Sequence, residues 1–99
     1  MDELWNSVQS SIVTVQLTAC QSLGIIGRFK PLPVDGAKKT QIITRIVAIL
    51  NSTEGPQIET AAEALGNIAL GDRSAETVKQ ILDALLSLFK YVYLLHELV

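Results

Sequence analysis

Apolar and polar residues along this chain recur with a helical period almost throughout. Residues 57–70 show it most plainly. Ile58, Ala61, Ala62, Leu65, Ile68 and Ala69 return every three or four positions, and Gln57, Glu59, Glu63 and Asn67 fall on the opposite side. Glu54-Gly55-Pro56 precedes this segment, at a point where a helix tolerates proline. Gly71 follows it and reads as a C-terminal cap. Residues 40–51 repeat the pattern with Ile42, Ile43, Ile46, Val47, Ile49 and Leu50. Their β-branching also suits a buried strand, but length and 3–4 spacing select a helix. Residues 75–90 carry Val78, Ile81, Leu82, Leu85, Leu86 and Phe89, with Ser74 placed as N-cap and Thr77 in the first turn. Residues 12–27 carry Ile12, Val15, Ala19, Cys20, Leu23 and Ile26, and residues 2–9 form a short helix end broken at Ser10-Ser11. The connections at 52–56 and 71–74 are tight. The one at 28–39 holds Pro31, Pro33 and Gly36 and cannot be helical throughout. The pattern predicts an all-α chain of five helical segments in antiparallel succession.

Two of these segments repeat each other. Thr18-Ala19-Cys20-Gln21-Ser22-Leu23-Gly24-Ile25-Ile26 aligns with Thr60-Ala61-Ala62-Glu63-Ala64-Leu65-Gly66-Asn67-Ile68 at an offset of 42 (65 − 23). Ile46, Ile49 and Leu50 align with Leu82, Leu85 and Leu86 at an offset of 36 (82 − 46). Two helices per unit and a period near 40 are the mark of a HEAT/armadillo-type α-solenoid. The expected units are 2–27 (a partial first helix pair), 40–71 (the second pair) and 75–99 (a truncated third). Gly24 and Gly66 occupy the same place in their units. Because glycine costs a helix about 1 kcal/mol against alanine, both are expected at tight helix–helix contacts. The competing architecture is a free-standing helical bundle with a small-molecule pocket.

Composition supports a segment of a longer array. Of 99 residues 48% are hydrophobic and 18% charged, more apolar surface than so small a body hides by itself. Stacking on neighbouring units would bury it. The apolar close over residues 90–99 lacks the polar outer face of a terminal repeat, so apolar exposure and self-association are expected there. A net charge of −2 and a pI near 5.2 argue against nucleic acid as a partner. A single cysteine allows no internal disulfide and fits a reducing compartment. The acidic start, Asp2-Glu3, is unlike a signal peptide, and no apolar run approaches the roughly 18 residues of a membrane span. The chain is expected to be soluble and intracellular.

The sequence offers no candidate catalytic, cofactor-binding or metal-binding residue. His96 is the lone histidine and has no cysteine or histidine at ligand spacing. Cys20 lies on an apolar face and reads as a small buried hydrophobe. Gly24-x-x-Gly27 sits within a helical pattern and reads as packing. Glu59 and Glu63, one turn apart with no basic or histidine companion, read as a solvated face. The chain is therefore expected not to be an enzyme. Arg28, Lys30, Lys38 and Lys39 place four of the eight basic residues in one connection, against the single acid Asp35. The plain reading is a solvated loop. The functional one is contact with an acidic protein surface.

The run Thr18 to Arg28 with Pro31-Leu32-Pro33 after it, and Glu63-Ala64-Leu65-Gly66-Asn67-Ile68-Ala69-Leu70-Gly71-Asp72, resemble the HEAT repeats of the large proteasome-associated adaptor and scaffold family. The resemblance covers residues 12–90, and residues 91–99 depart from it. It implies a non-enzymatic adaptor that binds the proteasome, links it to other cellular components and serves assembly quality control in cytoplasm and nucleus. It carries over no catalytic residue and no cofactor. Other HEAT proteins offer a second reading, in which a nuclear-transport receptor or phosphatase scaffold binds cargo or a catalytic subunit on its concave face.

Overall fold

The computed structural model describes the backbone of residues 1–52 and 54–98, with side chains as far as Leu88. Five helices follow one another: α1 (Asp2–Val8), α2 (Val13–Gly27), α3 (Gly36–Leu50), α4 (Gly55–Gly71) and α5 (Ala75–Leu98). No strand occurs among the described residues, and the isoleucine-rich run from Ile42 lies wholly inside α3. The chain is all-α, as its periodicity predicts.

Local chemistry sets the helix ends. Asp35 caps α3 by accepting a hydrogen bond from the Lys38 amide at 2.7 Å. This corrects the connection read from the sequence. It stops at Asp35, and Lys38 and Lys39 belong to the first turn of α3. The apolar stripe begins only at Ile42, so periodicity alone starts the helix a turn too late. Pro56 sits in the first turn of α4. Gly71 is the last residue of α4, and Asp72 leaves it with extended backbone. No glycine among the described residues has positive φ, so Gly71 is not a left-handed cap. Ser74 caps α5 as expected, its hydroxyl accepting from the Thr77 amide at 3.4 Å.

Helices α2 and α4 lie side by side and parallel. Gly24 faces Ala64, Gly27 faces Ile68, and Gly71 meets the Gly27 carbonyl, so residue numbers rise together on both helices. A Cβ on Gly24 would fall 2.8 Å from the Ala64 Cα. The tight contact expected at Gly24 is therefore present. At its repeat mate Gly66 it is not, because nothing lies within 4 Å of a Cβ there. Gly66 faces open space and not a neighbouring helix.

The other layer contains α1, α3 and α5. Helix α1 packs on α2, α3 on α4, and α5 against both α4 and α3. The molecule measures 44 × 32 × 20 Å. The short dimension is two helix diameters. Between the layers Val8, Cys20, Leu23, Ile42, Ile43, Ile46, Leu50, Leu65 and Ile68 are fully or almost fully buried. Arg45 of α3 donates to the Val8 carbonyl at 3.3 Å and so satisfies the free carbonyl end of α1.

Two apolar faces differ from the sequence expectation. On α2, Ala19, Cys20 and Leu23 are buried, but Val15 and Ile26 are exposed, as is Ile12 at its N-cap, which is 60% open. The helix has a wider apolar face than α1 and α4 together cover. On α5, Ile81 is buried, whereas Leu82 and Leu86 stand half or more in solvent. The apolar close at 90–99, His96 and the Phe89 side chain lie outside the described residues. Among the described residues, no helix is long and apolar enough to cross a membrane.

Candidate functional site

The four basic residues singled out in the sequence have different surroundings. Lys39, in the first turn of α3, reaches across to Asp72 at the end of α4 and pairs with it at 2.8 Å. Asp72 is buried. Its carboxylate also accepts from the Ser74 amide at 3.1 Å and the Thr77 hydroxyl at 3.3 Å. The hydrogen bond from Lys39 holds the Asp72 carboxyl down to about 2, with the Ser74 bonds helping and burial opposing. The charge of Lys39 is thus engaged inside the fold. Lys38 sits over the Trp5 ring of α1, 4.7 Å from its centroid, and ties the short first helix to α3.

Arg28 and Lys30 remain, and the structure adds between them a residue that no helical stripe marks. Phe29 is 82% exposed, the most open large apolar side chain among the described residues. The Arg28 guanidinium lies 5.7 Å from its ring centroid. Pro31 and Pro33 are exposed beside it, while Leu32 is buried in the core. The Val34 amide donates to the Leu32 carbonyl at 2.8 Å. The connection is therefore pegged by Leu32 and turned by Val34, and it presents an aromatic ring between two cations. Ile25, 58% exposed, and Ile26 continue the apolar surface along the last turn of α2. One signal in the sequence points to Phe29. It is an aromatic residue outside every helical stripe, in a proline-containing connection.

Three further features bear on chemistry. An open groove of about 320 Å³ runs between α1 and α2, lined by Leu4, Ser7, Thr14, Val15, Thr18, Ala19 and Ser22. It contains hydroxyls and methyls but no ionisable side chain. Cys20 is fully buried, and burial pushes its thiol up to about 11, which suits packing and not nucleophilic attack. Among the described residues, no group of three or more His, Cys, Asp or Glu side chains is placed to hold a metal ion.

No family model matches the chain, and neither a curated protein nor a solved structure does. The fold and the surface define an all-α protein of two helical layers with an exposed aromatic–basic knuckle at the α2–α3 connection.

Proposed function

We propose that this chain is a non-enzymatic protein-binding scaffold segment, built as a HEAT-type stack of helix pairs, and that it serves a proteasome-binding adaptor. One observation carries the architectural part. The two segments that repeat in sequence lie parallel and side by side, joined through Gly24 and Gly27. Repeat units that stack in register bring equivalent helices together in this way. The sequence resemblance supplies the proteasome. The knuckle of Arg28, Phe29 and Lys30 supplies a surface of the kind protein partners use, an aromatic anchor flanked by charge.

Surface plasmon resonance with the chain immobilised and purified proteasome in solution tests the reading. Saturable binding is expected, and Phe29→Ser together with Arg28→Glu is expected to abolish it. Absence of binding to intact proteasome at micromolar concentration overturns the proteasome assignment. Binding that the variants leave unchanged moves the contact away from the knuckle.

A further inference from the structure

Helix α5 turns outward the same register that α3 buries. At the offset of 36, Leu82 and Leu86 occupy the repeat positions of Ile46 and Leu50. Ile46 and Leu50 are completely buried where α3 packs against α4, while Leu82 is 50% and Leu86 61% exposed. The inward side of α5 is fixed independently. Gln80 donates to the Thr40 carbonyl at 3.4 Å and the Thr44 hydroxyl at 3.2 Å, and Thr77 and Ile81 are buried. The outward side forms an open groove of about 610 Å³ whose lining includes Val78, Lys79, Leu82, Asp83 and Leu86.

We infer that this side of α5 is the contact surface for a second copy of the chain, the two α5 helices packing antiparallel about a twofold axis at Leu82. A twofold contact needs one stripe that complements itself, and Val78, Leu82 and Leu86, four residues apart, form such a stripe. The antiparallel sense is also the one in which α3 meets α4 across their short connection.

Charge selects the same arrangement. Lys79 and Asp83 now pair with each other at 2.9 Å on the rim of the groove, 77% and 61% exposed. In an antiparallel pair centred on Leu82, Asp83 of the second copy comes level with residue 81. That is about 3 Å along the axis from Lys79, at 1.5 Å per residue. Each ammonium then meets the other chain's carboxylate, two contacts in all and both on the same rim. A parallel pair puts the two Lys79–Asp83 rims on opposite sides of the seam, so neither ammonium reaches the other chain's carboxylate. The inference draws on the helix register and the exposed stripe, and is independent of the proteasome reading.

Sedimentation equilibrium of the full chain tests it. Over the micromolar range the mass is expected to rise from one chain toward two, each of 10.8 kDa. Leu82→Glu is expected to hold the mass at one chain with an unchanged helical circular dichroism spectrum. Lys79→Glu weakens dimerisation by about tenfold, a rough allowance for two lost rim pairs, and adding Asp83→Lys restores it. A short bis-maleimide is expected to join two Leu82→Cys chains and not two Glu63→Cys chains. A single-chain mass throughout, a dimer indifferent to Leu82→Glu, or a mass that climbs past two chains each overturns the inference.

Discussion

Gly71 at the end of α4 lies against the backbone carbonyl of Gly27 at the end of α2, so closely that a Cβ on Gly71 would fall 2.8 Å from the carbonyl carbon. Two helix ends with no side chain between them form the tightest glycine contact among the described residues. Backbone cannot give way as a flexible side chain can.

Gly71→Ala is accordingly expected to destabilise the fold by about 2–3 kcal/mol, as overpacking does. Gly66→Ala is the matched control. It sits inside α4 with open space around its Cβ position, so alanine is expected to stabilise by about 0.5–1 kcal/mol. Urea unfolding followed by circular dichroism measures both. Equal effects would mean that the α2–α4 joint has no special tightness.

The Lys39–Asp72 pair makes stability depend on acid. The Asp72 carboxyl has an ordinary value of 3.8 and a folded value of about 2. A carboxyl depressed by folding stabilises above its unfolded value, and that contribution disappears as pH falls through the folded one. It is complete at neutral pH, on the order of 2 kcal/mol, and fades from about pH 4 to about pH 2. The double variant Lys39→Met with Asp72→Asn is expected to show a flatter profile over that window. Urea midpoints at a series of pH values give the comparison, and parallel profiles would refute the assignment.

Phe29 separates binding from folding. Its ring stands in solvent, so Phe29→Ser is expected to change stability by less than about 0.5 kcal/mol. The same change should weaken a knuckle-bound partner by at least about tenfold, as loss of an aromatic anchor does. Thermal melts and the resonance assay, run on the same preparation, check the two halves together.

Cys20 reports on opening of the core. A buried thiol held near 11 is protonated at pH 8 and out of reach of reagents. Ellman's reagent is expected to react with it only at the rate of unfolding, and at once in denaturing urea. Fast labelling of the native chain would show that the α2 face opens far more readily than its burial suggests.

Much of this fold is legible in the sequence. The stripe Ile58, Ala61, Leu65, Ile68 marks α4 and its buried side, and Pro56 and Gly71 fall at its two ends. The repeat identifies the helices that sit side by side. What stays hidden depends on partners distant along the chain. Lys39 and Asp72 are 33 positions apart, and nothing local in either shows that an exposed-looking loop lysine meets a buried carboxylate. Gly66 matches Gly24 letter for letter, yet one has a neighbouring helix and the other has none. Sequence repetition conveys the shape of a contact and not its occupancy. Phe29 is hidden for a related reason: periodicity weighs residues by the stripe they join, and Phe29 joins none.

The carboxylate of Asp72 binds the first turn of α3 and the first turn of α5 at the point where α4 stops. Mechanically it is a rivet through three rods at one corner of the slab. Gln80 and the buried Ile81 hold the next turns of α5 against the body. A cluster of four polar groups thus fixes where the last helix begins, and with Gln80 and Ile81 the direction in which a second copy would point.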